Sequence, residues 1–185
     1  RLSPATPSTR RVPARQRSGD PHSRADYTQA TWVGLASSGF ILLPAGRDIV
    51  AEGTAITETE MSAQLQTFRE AQSGFLDLSF PTIAGSGPNG AIIHYDCSKA
   101  ETPGVIDGTK MLLIDSGGQY DCGTTDVTRT HHLGTPTDHQ KDAYTRVLQG
   151  HIGLTTAVFP QDTSGFVLDA FARRHLWEAG LDYRH

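Results

Sequence analysis

Residues 110–130, KMLLIDSGGQYDCGTTDVTRT, contain two runs of strand-forming residues on either side of a short polar segment. The first run, residues 110–115, is apolar in its middle and ends on an acid. The second run, residues 124–130, alternates β-branched and polar side chains, as strands commonly do. Residues 121–123 are of the types that form turns. We therefore predict two strands joined as a hairpin within a sheet.

Each of these strands contains an acid: Asp115 is the last residue of the first strand, and Asp126 lies near the start of the second. A carboxylate beside a buried strand costs free energy unless it is paired or bound to a metal. Folding the strands back brings the acids together, in a register that requires a bulge at Gly117–Gly118. A divalent cation would remove the repulsion between them, so the pair predicts a metal site. Alternatively, Asp115 caps a turn and Asp126 pairs with Arg129.

A helix is predicted upstream of this hairpin. Thr57 and Glu60 form a capping-box motif, in which each side chain accepts a hydrogen bond from the backbone of the other. Behind the motif, side chains at helical spacing form one stripe that ends before Gly74: Met61, Leu65, Phe68 and Gln72. The pattern is that of an amphipathic helix.

The segment AIIHY, residues 91–95, is short and apolar, and it lies between Gly90 and Asp96. It therefore predicts a buried strand that contains His94. A single histidine in such a strand is usually a hydrogen-bonded core residue, so the pattern alone assigns His94 no role. The glycine-rich residues 85–90 precede this strand instead of opening a helix, which excludes a phosphate-binding loop.

Two more helices are predicted towards the end of the chain. Thr135 caps the first of them, which runs to about Val158, and Asp162 or Ser164 caps the second. Each is expected to bury one apolar face, formed by residues at helical spacing: Tyr144, Val147, Leu148, His151, Ile152, Leu154 and Thr155 in the first, and Phe166, Val167, Ala170, Phe171, Arg174 and Trp177 in the second. A strand-rich core with helices predicts an α+β fold.

The composition excludes several classes of protein. The chain has 185 residues, a formal charge of −4 and only two cysteines. This charge argues against a nucleic-acid partner for the folded part. No apolar run approaches the roughly 18 residues that cross a bilayer, so no membrane span is expected. Two cysteines in a chain of this size suggest a reducing compartment rather than a disulfide scaffold.

Residues 1–24 differ from the rest of the chain, with six arginines, four prolines and a single acid. Such a segment cannot bury enough apolar surface to offset the entropy of ordering it, so we predict disorder. Three interpretations stay open: an organelle transit peptide, a basic arm for nucleic acid, or a tail without a selected role.

Four stretches together resemble aminopeptidase P, the Xaa-Pro aminopeptidases of the pita-bread metallopeptidases. They are LSFPTIAGSGPNGAIIHY (residues 78–95), LIDSGGQYDCGTTDVTRT (residues 113–130), FVLDAFAR (residues 166–173) and LDYRH (residues 181–185). They occur in the family's order and spacing, and the resemblance extends from about Thr54 to His185. It is closest to the eukaryotic cytosolic enzymes.

The resemblance implies a reaction and a cofactor. It assigns Asp115 and Asp126 as two of five ligands to a pair of divalent ions, usually Mn²⁺, with Asp126 bridging them. His94 lies beside the site and helps to bind substrate or stabilise the transition state, and His185 is a second substrate-contacting histidine. In the family, a hydroxide that bridges the metals attacks the carbonyl before proline in Xaa-Pro peptides.

The resemblance also implies an expected organisation. Residues 1–50 match nothing in the family, and residues 51–185 correspond to the first part of a pita-bread catalytic domain, incomplete at its C-terminus. The last three metal ligands and about half of the sheet are not in the sequence, so we expect the chain to be inactive alone. A cytoplasmic location is expected, with organelle targeting by the tail as an alternative, and a homodimer is expected for the full-length form.

Two other functions compete with the peptidase. A non-catalytic pita-bread member would serve as a binding module, but such members have generally lost the acids that remain here at Asp115 and Asp126. A creatinase-type amidinohydrolase without metal is disfavoured by the same acids.

Overall fold

A computed structural model describes residues 55–183, so the predicted tail and His185 lie outside the described residues. The described residues divide into two compact units, 55–136 and 137–183. The first unit mixes short strands with one helix, and the second is a pair of helices. Helices and strands are thus largely segregated along the chain, as the predicted α+β class requires.

The first unit contains three small antiparallel sheets. Their strands, in chain order, are β1 (Ile56–Thr57), β2 (Phe75–Leu78), β3 (Ile83–Ser86), β4 (Val105–Ile106), β5 (Met111–Ser116), β6 (Gly118–Tyr120), β7 (Gly123–Thr124) and β8 (Val127–His132). β1 pairs with β4, β6 lies between β2 and β7, and β5 lies between β3 and β8. The predicted hairpin is therefore present, with its second strand divided into β7 and β8.

Helix α1 (Glu58–Glu70) packs against these strands, and Thr57 and Glu60 form the predicted capping box. The core between helix and sheet consists of Met61, Leu65, Ala84, Ile106, Leu112 and Ile114. The buried stripe of α1 differs from the predicted one at its end, because Arg69 is fully buried whereas Phe68 and Gln72 are only half-buried. Arg69 continues the four-residue spacing of Met61 and Leu65, so the buried face follows that row.

The predicted buried strand at residues 91–95 is wrong. A 3₁₀ helix covers Gly87–Ala91, and a turn follows it. Ile92 and Ile93 are 52% and 57% exposed, and His94 has a φ of 52°, a left-handed conformation that a strand excludes. The strand of this region is β3, whose last two residues, Gly85 and Ser86, begin the glycine-rich stretch. Its pairing with β5 outweighs the low strand propensity of glycine.

The second unit consists of α2 (Asp138–Thr156) and α3 (Gly165–Trp177) packed on each other. Thr137 caps α2 through a capping box with Gln140, so the predicted cap at Thr135 is two residues too early. Ser164, one of the two predicted candidates, caps α3. Within residues 55–183, no helix is long and apolar enough to cross a membrane.

The prediction that α2 and α3 each bury an apolar face is not confirmed. Most of the large apolar side chains on them are exposed: Tyr144, Val147, Leu148, Ile152, Phe166, Val167, Phe171 and Trp177. The two helices meet instead at Gly150, where a Cβ atom would lie 2.1 Å from Ala172 O. Close backbone approach at a small residue replaces the interdigitation of large side chains.

Candidate metal centre

The carboxylates of Asp115 and Asp126 belong to neighbouring strands of one hairpin. Asp115 lies near the end of β5 and pairs with Thr128 of β8, and Ser116 pairs with Val127. Asp126 precedes β8, two residues before Thr128. In an antiparallel ladder, diagonal neighbours two positions apart lie on the same face, within reach of each other. The hairpin therefore brings the two acids together.

The bulge predicted at Gly117–Gly118 is not needed. The pairs of β5 with β8 and those of β6 with β7 keep one register, so no extra residue is inserted between them. The diagonal placement of Asp115 and Asp126 already brings the two carboxylates together. The ladder is instead interrupted, and Asp126 lies in the gap and not inside a strand. A Cβ atom at Gly117 would lie 2.0 Å from Thr125 O and 2.2 Å from Ser79 Oγ, so glycine is required for this close approach.

Asp115 is a partly buried carboxylate that lacks adequate partners. Its Oδ1 atom is buried and accepts no hydrogen bond. Burial raises the pKa of Asp115 above its ordinary value, and the neighbouring Asp126 carboxylate raises it further, while Thr128 and His94 act in the opposite direction. An unpartnered buried oxygen beside a second carboxylate is the donor set that a hard divalent cation would satisfy. The residues present fit such an ion.

His94 lies on the exposed turn after the 3₁₀ helix, close enough to Asp115 for its charge to lower the pKa of that carboxyl. The structure thus brings three of the predicted site residues together, although His94 reaches the site from a turn and not from a strand. The fourth, His185, lies outside the described residues.

The alternative in which Asp126 pairs with Arg129 finds no support. Among the ion pairs of residues 55–183, none joins these two side chains. Arg129 Nη1 donates instead to Thr128 O at 2.6 Å. In the same part of the chain, no group of three or more acidic, histidine or cysteine side chains is arranged to hold a metal. The described residues therefore contribute two carboxylates and no complete site.

A second buried carboxylate, Glu58 at the start of α1, supports the turn that carries His94. Its Oε1 accepts from Ser86 N–H at 2.6 Å and from the Asn89 side chain at 3.0 Å. Its Oε2 accepts from the Tyr95 hydroxyl at 2.6 Å and from Gly104 N–H at 2.7 Å. Because Tyr95 is next to His94 in the chain, this cluster fixes the backbone on one side of the histidine.

The hydrogen bonds of Glu58 determine its charge state. Burial acts to raise the pKa of Glu58, but the bonds from Ser86, Tyr95, Asn89 and Gly104 outweigh it and the pKa is lowered. Burial and the adjacent Glu58 carboxylate raise the pKa of Tyr95 to about 12. Glu58 is thus an ionised, fully satisfied group.

Sequence analysis assigned no role to Glu58 or to the buried Arg69. The available signal was the spacing of residues 58, 61, 65 and 69, which lie on one face of a helix. Two charged residues on an otherwise apolar face could have indicated buried polar contacts.

Known proteins resemble this chain in sequence. The sequence matches Metallopeptidase family M24 over residues 40–185. A probable Xaa-Pro aminopeptidase P of Laccaria bicolor is 56% identical over 138 residues, covering 72% of this chain and 21% of the relative. Aminopeptidase P2 of Arabidopsis thaliana is 54% identical, covering 74% of this chain and 19% of the relative. The chain thus spans about a fifth of the length of these curated relatives.

Solved structures resemble it in fold. The crystal structure of X-prolyl aminopeptidase from Caenorhabditis elegans, described as a cytosolic enzyme with a di-nuclear active site, matches with a TM-score of 0.79 and 31% identity. The match covers 90% of this chain and 27% of that one. X-Pro aminopeptidase from Thermotoga maritima matches with a TM-score of 0.68 at 23% identity, a likeness of fold. These matches confirm both the resemblance to aminopeptidase P and the pita-bread fold class, and the chain belongs to metallopeptidase family M24.

Proposed function

We propose that this chain provides part of the catalytic domain of a metalloaminopeptidase, which releases the N-terminal residue from peptides with proline in the second position. The observation that carries the proposal is the carboxylate pair, in which Asp115 Oδ1 is buried without a partner beside Asp126. The Caenorhabditis elegans relative, with its di-nuclear active site, supports two metal ions.

Each site residue has a distinct role in this proposal. Asp115 and Asp126 would hold two divalent ions, for which Mn²⁺ is proposed. Such ions supply an activated water and polarise the substrate carbonyl. His94 contacts the substrate or stabilises developing charge from its exposed turn, and His185 contacts the substrate as well. Asp115 and Asp126 therefore position the ions, while the histidines act on the peptide.

Two carboxylates are too few for a complete site. A hard cation takes about six oxygen ligands, so a pair of ions needs more donors than residues 55–183 supply. We propose that the 185-residue chain is inactive alone and that further ligands complete the site in a longer form.

The cellular setting is part of the same proposal. Cys97 and Cys122 are free thiols, which suits a reducing compartment. The Caenorhabditis elegans relative is described as cytosolic, which supports a cytoplasmic location here. The proposed partners are Xaa-Pro peptides, without nucleic acid or membrane, and a homodimer is proposed for the longer form.

Turnover tests the proposed activity. The 185-residue chain and a form extended at its C-terminus are each assayed with an Xaa-Pro peptide and an Xaa-Ala peptide, with Mn²⁺ and with chelator. We expect release by the extended form only, and only from the Xaa-Pro peptide with metal. Robust turnover by the 185-residue chain would contradict the need for further ligands.

Metal content separates the peptidase from a non-catalytic binding module. In the extended form, Asp126→Asn is expected to abolish activity and sharply reduce bound Mn²⁺, because it removes one of the two carboxylates that would hold the ions. Asp121→Asn, an exposed acid of the same hairpin, is the control and is expected to change neither. An extended form that binds peptide without cleaving it would support the binding module, and an Asp126→Asn variant with full metal and turnover would contradict the peptidase.

A further inference from the structure

Arg69 is a fully buried cation whose hydrogen-bond partners among residues 55–183 are neutral. Its Nη2 donates to Ser116 Oγ at 2.9 Å and its Nη1 donates to Thr125 Oγ1 at 3.3 Å. Its Nε is buried without a partner. A buried guanidinium is costly to desolvate, and within residues 55–183 no ion pair with an acid compensates it. An apolar side chain would fill this core position at lower cost.

The two partners of Arg69 flank the two carboxylates. Ser116 directly follows Asp115, and Thr125 directly precedes Asp126. Side chains alternate between the faces of a strand, and in β5 the buried face is the one that carries Ser116. Arg69 therefore bonds the strands from the side of α1, while Asp115 faces the other side.

The hydrogen bonds of Arg69 to Ser116 and Thr125 lie where the backbone ladder of the hairpin is interrupted. Regular pairing of β5 with β8 stops at Ser116, and β6 with β7 resumes beyond Gly118. In the gap, the Thr125 hydroxyl also accepts from Gly118 N–H at 3.0 Å, and Thr125 O accepts from Ser79 Oγ at 2.9 Å. Hydrogen bonds made by side chains thus replace part of the backbone ladder next to Asp126, which is not paired in either strand.

We propose that Arg69 is a positioning residue, which fixes the separation of the Asp115 and Asp126 carboxylates by bonding the residue after the first and the residue before the second. The part of this inference that concerns metal binding rests on the proposed function. The guanidinium suits the task because its planar fork bonds two hydroxyls at once, which a lysine ammonium on a flexible stem does less well.

The first test needs no metal. Amide hydrogen exchange at Gly118 and Thr125 is measured in the 185-residue chain for Arg69→Met and for Leu65→Ala, a fully buried control one turn earlier on α1. We expect Arg69→Met to accelerate exchange at these two amides about tenfold more than at the amides of Leu112 and Ile114. Leu65→Ala is expected to accelerate all of them alike. Uniform acceleration in Arg69→Met as well would overturn the positioning role.

The second test measures Mn²⁺ binding by electron paramagnetic resonance in the C-terminally extended form, with the signal referred to the folded fraction. Arg69→Met is expected to weaken Mn²⁺ binding about tenfold or more, as loss of groups that orient metal ligands commonly does. Leu65→Ala is expected to leave the affinity of the folded protein unchanged, and Arg69→Lys to give an intermediate loss.

The outcomes distinguish this inference from the proposed function. A wild-type extended form that binds no Mn²⁺ overturns the metal site, whereas the exchange experiment still decides whether Arg69 holds the hairpin. Full recovery of Mn²⁺ affinity in Arg69→Lys would show that charge alone matters and would overturn the two-hydroxyl bridge. Equal affinity in Arg69→Met and wild type would overturn the effect on the carboxylates.

Discussion

Glu58 and Asp115 are acids of the same unit in opposite circumstances. Glu58 is fully buried and accepts hydrogen bonds from two backbone amides and two side chains, so its pKa is lowered. Asp115 is partly buried, its Oδ1 has no partner and a second carboxylate lies beside it, so its pKa is raised. Burial disfavours the charge of both residues, and the partners decide the direction in which each pKa shifts.

Under the proposed function, this difference separates a structural acid, Glu58, from a metal-binding one, Asp115. The Glu58 cluster needs nothing further. Its hydrogen bonds attach three segments to the start of α1: the 3₁₀ helix, the turn that precedes Tyr95, and the backbone at Gly104. The Asp115–Asp126 pair keeps unused acceptor capacity, which stabilises the fold only when a cation arrives. Activity should therefore depend on the second region and folding on the first.

The largest effect is expected from Glu58→Ala, which leaves the Ser86 and Gly104 amides and the Tyr95 hydroxyl without their acceptor. Each unsatisfied buried donor costs about 1–3 kcal/mol, so we expect a loss of about 3 kcal/mol or more in the free energy of unfolding, measured by urea denaturation. Glu70→Ala, at an exposed position of α1, should change it by less than about 0.5 kcal/mol. Equal losses in the two variants would remove the distinction drawn for Glu58.

Replacing His94 tests whether its turn serves the metal pair. In an extended, active form, His94→Ala is expected to lower turnover about 100-fold, because a group that stabilises developing charge is lost. Metal content should stay near normal, and Ile93→Ala, an exposed neighbour, should be close to wild type. Metal analysis beside kinetics checks this, and an empty site in His94→Ala would refute the assignment.

The pH dependence of stability should contain a contribution from Glu58. Its pKa is lowered by folding, so its stabilisation is fully present above its ordinary pKa of 4.5 and is lost as the pH falls below that value. Glu58→Gln cannot titrate, so the difference in unfolding free energy between wild type and this variant should shrink as the pH falls below 4.5. A constant difference from pH 6 to pH 3 would mean that the Glu58 pKa is not lowered.

The smallest effect has the opposite sign. Asp115→Asn removes a charge that is poorly solvated and repelled by Asp126, so the metal-free protein should gain about 1 kcal/mol in unfolding free energy. The same variant should lose any rise in melting temperature on adding Mn²⁺. Thermal denaturation with chelator and with Mn²⁺ measures both, and a destabilised metal-free Asp115→Asn would place Asp115 with Glu58 as a structural acid.

The features predicted correctly depend on neighbours in the chain. The capping box joins Thr57 and Glu60 three residues apart, and the hairpin follows from two adjacent strand patterns around one turn. The acids Asp115 and Asp126 could be paired from sequence because the hairpin itself brings them together. Their metal-binding role was inferred from the pair of carboxylates, its dinuclear form came from the resemblance to aminopeptidase P, and both stay predictions.

The features that the sequence did not predict depend on partners distant in the chain. Residues 91–95 have the apolar pattern of a strand, but Tyr95 bonds Glu58, 37 positions away, and the backbone turns at His94. Arg69 bonds Ser116 and Thr125, 47 and 56 positions away. Periodicity and capping act within one or two turns and can be read locally. Which charged group is buried, and against what, is decided only when helix and sheet pack, because burial and hydrogen bonding are properties of the assembled neighbours.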